Sequence, residues 1–212
     1  MEHAAQHGDI NSLYTLIEQN PHVLEEIDSI PFVQTPLHIA ASAGHVQFAA
    51  EIMTLKSSFA WKFNPQGIRP VHLALENDHT TMVLHFIKMD KELVRAKRRG
   101  GLTLLHLASQ SGDINLLTKF LNACPDSVKD LTARGETALH FAVKDGGFEA
   151  FEFLVRWLRT NTVELQTILN QKDVEGNTIL HIAATNNDRQ VGIIQIYLSL
   201  PMNLSCEGIM LK

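Results

Sequence analysis

Apolar residues recur along this chain in short blocks with helical spacing. Over 46–55, Val46, Ala49, Ala50 and Met53 fall on one face of a helix. Comparable stretches lie at 80–89, 114–123, 148–159 and 190–198, and a shorter alanine-rich block such as 37–43 precedes the long one. A further helix is predicted over 10–18 with Pro21 just beyond it, and Pro125 stops the helix at 114–123. Paired short and long helices follow from this pattern, with Ala40 and Ala41 small enough to let helices approach closely. Polar or glycine-containing connectors separate the pairs: Asn64-Pro65-Gln66-Gly67, Arg98-Arg99-Gly100-Gly101, Ala133-Arg134-Gly135 and Val174-Glu175-Gly176. These suit tight hairpin turns that project from the helices.

The pairs repeat. Five strings align: Thr35-Pro36-Leu37-His38, Arg69-Pro70-Val71-His72, Thr103-Leu104-Leu105-His106, Thr137-Ala138-Leu139-His140 and Thr178-Ile179-Leu180-His181. Successive histidines are 34, 34, 34 and 41 residues apart. Six residues after each histidine stand Gly44, Asp78, Gly112, Gly146 and Asn187, the residue types that best tolerate a left-handed backbone at a helix end. Helix, turn, helix and projecting hairpin at a period of about 33 residues resembles the ankyrin repeat. Its T-P-L-H-x-A signature is matched in full from Thr35 to Ala40 and in degraded form by the other four strings.

The resemblance implies an all-α solenoid of stacked helix-turn-helix units with projecting β-hairpin loops. The string Ala4-Ala5-Gln6-His7-Gly8-Asp9 aligns with Ala40–His45 at an offset of 36, so 1–31 reads as a clipped first repeat serving as a cap. A single domain over 1–198 is expected, with repeats at about 1–33, 34–67, 68–101, 102–135, 136–176 and 177–198 and a tail at 199–212. The longer fourth interval leaves an insertion around 160–170, where Glu164, Leu165, Ile168 and Leu169 suit an extra helical turn. Sequence does not choose between a contact feature and a tolerated elaboration.

The recurring polar residues are read as structural. Thr35, Thr103, Thr137 and Thr178 are placed to cap the short helices, with phosphorylation of an accessible threonine as the alternative. His38, His72, His106, His140 and His181 invite a zinc hypothesis. Equivalent positions in stacked repeats sit on the order of 10 Å apart, however, against Zn–N bonds of about 2 Å. Hydrogen bonds to backbone in the turns are the preferred reading, and no metal or other cofactor is expected. Cys124 precedes Pro125 at the end of an apolar helix and reads as buried; no phosphate loop or paired catalytic acids stand out. No catalytic residue is assigned, and the chain is expected not to be an enzyme.

Composition narrows the partners. The chain has 212 residues, 45% of them apolar and 19% charged, enough to fold without metal or disulfides. The formal charge is −5, spread evenly: residues 1–106 carry 9 basic and 11 acidic side chains, 107–212 carry 9 and 12. A global nucleic-acid footprint is missing, so no nucleic acid is expected. With only Cys124 and Cys206, a disulfide framework is not expected and a reduced compartment is preferred. The start of the chain lacks a signal-peptide pattern, and the apolar stretch 191–204 is too short and interrupted to cross a membrane. A cytoplasmic chain is the expectation.

Two surfaces are candidates for a protein partner. The first is a basic island of Arg95, Lys97, Arg98 and Arg99, with Arg134 one connector further on, suited to a partner with an acidic segment or to lipid headgroups. Its alternative is plain solvation of an exposed turn. The second is apolar: Ile30, Pro31, Phe32 and Val33 either cover the short first repeat or form a contact point, and Phe63 is a connector flank with partial exposure. Self-association through Phe32 or 191–204 is left open.

Longer strings resemble a plant group of ankyrin proteins, the bian da-like immune regulators, which join an N-terminal repeat array to a C-terminal membrane domain with a Pro-Gly-Gly motif. They include Pro70-Val71-His72-Leu73-Ala74-Leu75-Glu76-Asn77 and Phe120-Leu121-Asn122-Ala123-Cys124-Pro125-Asp126-Ser127-Val128-Lys129-Asp130. Leu169-Asn170-Gln171-Lys172-Asp173-Val174-Glu175-Gly176-Asn177-Thr178 is another. The membrane part is missing from this sequence. The resemblance implies a non-catalytic interaction scaffold in plant immune or stress signalling, reaching the plasma membrane only through such a domain in a longer parent or through a partner. A nuclear or transcription-associated ankyrin cofactor is the alternative.

Overall fold

The computed structural model describes residues 1–145, 147–161 and 165–185. Gly146, Asn187, the helix expected at 190–198, the apolar stretch 191–204, Cys206 and the tail at 199–212 lie outside the described residues, as does Glu164 of the insertion.

Short and long helices alternate as the apolar pattern requires. In chain order they are α1 (Glu2–His7), α2 (Ile10–Gln19), α3 (Val23–Ser29), α4 (Pro36–Ala43), α5 (Val46–Leu55), α6 (Pro70–Glu76), α7 (Thr80–Met89), α8 (Leu104–Ser111) and α9 (Ile114–Ala123). They continue with α10 (Ala138–Lys144), α11 (Phe148–Asn161), α12 (Leu165–Leu169) and α13 (Ile179–Thr185). Single 3-10 turns, Ser57–Trp61, Lys91–Arg95 and Pro125–Lys129, follow α5, α7 and α9.

The described chain forms two compact units. The first comprises Met1–Leu104 with Phe120–Ser127, the second Leu105–Lys119 with the described residues from Val128 onward. In the first, α4 packs against α1, α5 and α6, while α7 packs against α5 and α6. Alanines at the inner contacts, Ala40, Ala41 and Ala74, are fully buried and let the short helices approach. Leu37, Phe48, Ile52, Phe59, Val83 and Phe86 fill the layer between short and long helices. In the second unit α10 packs against α11 and α13. The insertion is spent on a longer α11 and on α12, which packs against α11 and buries Leu165, Ile168 and Leu169.

The expected projecting β-hairpins are not formed. Among the described residues there is no β-strand, only an isolated parallel bridge between Phe32 and Phe63, which belong to different connectors. Each connector closes on itself through one outer hydrogen bond: Asn64 N to Ile68 O (2.9 Å), Arg98 N to Leu102 O (2.9 Å), Thr132 N to Glu136 O (3.0 Å) and Asp173 N to Asn177 O (2.9 Å). Inside each lies a tight turn, such as Gly67 N to Asn64 O at 2.9 Å. A ladder needs further rungs, and the next residue, as at Thr137, is already the helix cap. The turns are tied to one another instead, through Val33 N to Phe63 O (3.1 Å), Arg99 N to Gly67 O (2.9 Å) and Val174 N to Arg134 O (2.8 Å).

Polar side chains pin three of the turns. Asn64 Oδ1 accepts from Gln66 N and Ile68 N, Thr132 Oγ1 from Arg134 N and Glu136 N, and Asp173 Oδ1 from Glu175 N and Asn177 N.

Histidines clamp neighbouring repeats at the other end of the short helices. His45 Nε2 donates to Gln6 O (2.8 Å) and His79 Nε2 to Ser42 O (3.0 Å). Their rings lie over Gly8 and Gly44, left-handed helix ends with φ of 67° and 79°. A Cβ on Gly44 would fall 2.8 Å from His79 Cε1. Gly44→Ala combines that clash with a left-handed alanine, so it should destabilise the chain by about 2 kcal/mol, read as a lowered denaturant midpoint.

Candidate functional site

The threonine–histidine pairs form brackets within and between repeats. Thr35 N donates to His38 Nδ1 (3.2 Å), Thr35 Oγ1 lies 2.7 Å from the same nitrogen, and His38 N donates back to Thr35 Oγ1. Thr137 with His140 and Thr178 with His181 repeat the Nδ1 contacts. The far nitrogen reaches the next connector: His38 Nε2 to Ile68 O at 3.2 Å and His106 Nε2 to Glu136 O at 3.1 Å. Thr103 and His106 are fully buried. His38 and His106 thus hold a helix start to the next turn, whereas Nε2 of His140 makes no hydrogen bond.

His72 is the exception. Arg69 stands where the other repeats have threonine, and neither ring nitrogen of His72 makes a hydrogen bond. Burial, reinforced by the Arg98 and Arg69 charges, pushes its pKa down to about 3, although the Leu102 and Ala96 carbonyls pull the other way. Burial likewise lowers His38 to about 4 and lowers His140. Among the described residues no group of three His, Cys, Asp or Glu side chains could hold a metal ion. Cys124 is buried.

The turn side of the first compact unit carries a groove of about 430 Å³, lined by Phe32, Phe63, Pro65, Gly67 and Arg99. Local anchoring builds it. Asp28, at the end of α3, accepts from Ser58 Oγ (2.8 Å) and pairs with Lys62 Nζ (3.2 Å) and Lys56 Nζ (3.3 Å). Burial alone would raise the Asp28 pKa, but these three donors outweigh it and hold it low. Lys62 also donates to the Asp28 carbonyl, tying the connector at 30–33 to the one that starts at Phe63. Phe32, 62% exposed, and Phe63 then lie with ring centroids 6.3 Å apart and planes 22° from parallel.

Cations frame this pair unequally. Arg99 is exposed and lines the groove, its stem resting on Gly67, where a Cβ would fall 2.9 Å from Arg99 Cβ. Arg98 is half-buried in an ion pair with Glu76. Lys97 is exposed and its carbonyl accepts from Arg69 Nε at 3.1 Å, while Arg95 is exposed at the end of its 3-10 turn. Arg134 belongs to the second unit, where it pairs with Glu175 and lies 3.9 Å from Glu136. The structure therefore brings Phe32, Phe63 and Arg99 together, with Arg98 already paired and Arg134 engaged elsewhere.

Arg69 is the neighbour that sequence reasoning passed over. Its guanidinium carbon lies 4.2 Å from the Phe63 ring centroid and 5.2 Å from that of Trp61, and burial lowers its pKa. A signal was present: arginine at a slot that is threonine in the four other repeats.

Comparison with known proteins agrees with this architecture. The family model for ankyrin repeats (three copies) matches residues 1–97 and 105–200. The chain is 60% identical over 203 residues to ankyrin repeat-containing protein BDA1 of Arabidopsis thaliana, covering 94% of this chain and 48% of that protein. It thus spans about half the length of this curated relative. A chain in the solved complex of the Bd0816 predatory endopeptidase from Bdellovibrio bacteriovorus with immunity protein Bd3460 superimposes with a TM-score of 0.68. That match covers 92% of this chain and 95% of the other, and at 23% identity it speaks to the fold alone. Period, helix pairs and the family match agree: this chain belongs to the ankyrin-repeat family.

Proposed function

We propose that the chain is a non-catalytic protein-interaction scaffold serving plant immune or stress signalling, and that it holds a partner on the turn side of its first compact unit. The observation that carries this reading is the groove itself, where the exposed Phe32, stacked on the half-buried Phe63, meets an exposed arginine. His38 and His106 are committed to brackets between a helix start and the next turn, while the connector side chains Phe32 and Arg99 are exposed to meet another molecule. Resemblance to the plant group supplies the signalling context. No described helix is long and apolar enough to cross a membrane, and in this reading any membrane attachment is assigned to a longer parent or a partner.

Proximity labelling in plant cells tests the reading. Reversing Lys97, Arg98 and Arg99 together to glutamate should remove most of the proteins labelled by the wild-type chain. An unchanged set of labelled proteins would remove this face from the account.

A further inference from the structure

We infer that the groove between Phe32 and Arg99 takes one extended protein segment that carries an aromatic or long aliphatic side chain beside an aspartate or glutamate. The inference rests on the interaction-scaffold reading above and adds the chemistry of the occupant.

The apolar half comes from Phe32, Phe63 and Pro65. Phe32 is held in place from behind by the Val33–Phe63 backbone bond and the Lys62–Asp28 pair, so its exposed face is presented by a fixed support. A partner side chain laid on this wall removes apolar surface from water without first ordering the wall. At about 430 Å³ the groove holds a few side chains and not a folded domain.

The charged half comes from the arginines that have no carboxylate. Arg98 and Arg134 are already neutralised by Glu76 and Glu175. Among the described residues no carboxylate pairs with Arg99, which lines the groove, or with Arg69, which lies half-buried against Phe63 and donates to the Lys97 carbonyl. Two guanidinium groups beside one aromatic wall favour an anion, and a planar carboxylate meets the guanidinium fork through paired hydrogen bonds. A lipid surface would need several free cations on an open face. Here Arg98 of the island is already paired with Glu76, so a protein segment fits better.

Selection of a randomised peptide library on the immobilised full chain tests this, with Phe32→Ala, Arg99→Glu and Arg134→Glu chains in parallel. Enriched peptides should carry an aromatic or long aliphatic residue within a few positions of Asp or Glu. Their affinity should fall about tenfold or more on the Phe32→Ala and Arg99→Glu chains and hold on Arg134→Glu. Changing the peptide's acidic residue to lysine should abolish binding to the wild type and restore it on Arg99→Glu. Phe32 and Arg99 are exposed, and a circular dichroism melt matching wild type verifies that each variant is folded. No enrichment, enrichment of basic or purely polar peptides, or equal binding to the Phe32→Ala chain would overturn the inference. So would Arg99-dependent binding to phosphatidylserine-containing vesicles in the absence of peptide binding. If the peptides fail while the glutamate variants still lose their labelled proteins in cells, the occupant chemistry is wrong and the scaffold reading stands.

Discussion

Acidification from about pH 6.5 towards about pH 4 is expected to strip several kcal/mol from the first compact unit, most of the loss above about pH 5 preceding carboxylate titration. The cause is the burial of His38 and His72 as neutral rings, with pKa values lowered to about 4 and about 3 from 6.5. Because the folded values lie below the unfolded one, the unfolded chain binds more protons in this range. The stability these groups contribute is fully present above pH 6.5 and is lost as pH falls towards the folded values. At roughly 1.4 kcal/mol per pKa unit, His38 alone accounts for about 3 kcal/mol and His72 for somewhat more. That sum is a large part of a typical folding margin of about 5–15 kcal/mol.

Asp28, and Glu136 in the second unit, have lowered pKa values from ordinary ones of 3.8 and 4.5, so their share is present above those values and is lost as pH falls through and below them, at the bottom of this window. The upper window therefore belongs to the histidines. Denaturant midpoints measured across it should fall steeply for the wild type and less steeply for His72→Leu. Leucine there removes a ring whose nitrogens have no hydrogen bond, so its cost at neutral pH should be small. A midpoint flat across the window, or an unchanged slope in His72→Leu, would contradict the assignment.

The second large effect is expected at Phe59. This ring is fully buried in the 3-10 turn Ser57–Trp61, which packs against α5 and α6. Phe59→Ala should destabilise the chain by about 4 kcal/mol through lost transfer energy and the cavity left behind. Phe59→Leu should recover much of that loss. Phe32→Ala, at a ring 62% exposed, should change stability by no more than about 0.5 kcal/mol. Urea unfolding of the three variants reads all of these. The loss also bears on binding, because the same short stretch carries Lys62 and Phe63, and loosening the turn would release the groove's aromatic wall from the Asp28 anchor. Equal effects of Phe59→Ala and Phe32→Ala would contradict the division between buried support and exposed contact.

The helices were legible because they obey two periods at once, about 3.6 residues within each helix and 34 between repeats. Val46–Leu55, Thr80–Met89 and Ile114–Ala123 follow their apolar stripes to the residue. The connectors were read too generously: their glycines do mark turns, but the residue after each closing hydrogen bond already starts the next helix, leaving no length for strands. Asn64, Thr132 and Asp173, which pin those turns, stand at intervals of 34 + 34 and 41 residues and were visible in the repeat had it been followed into the connectors. His45 and His79 stand likewise at a spacing of 34. Their role as clamps depends on which carbonyl lies opposite, which periodicity does not encode.

The groove lay further from view. Phe32 and Phe63 are 31 residues apart and off the repeat period, and their adjacency depends on the Lys62–Asp28 anchor. Arg69 was visible only as a departure from threonine. Basic residues that look alike along the chain also separate in space: Arg98 spends its charge on Glu76, and Arg99 keeps its own for the groove.

Hydrogen exchange of the full chain, with and without a peptide enriched on it, addresses the central claim most directly. Slowed exchange confined to amides around 30–33, 62–69 and 97–101 is the predicted result. Protection confined to the second compact unit, or to the long helices α2, α5 and α7 with those turns unchanged, would place the contact elsewhere and contradict the account.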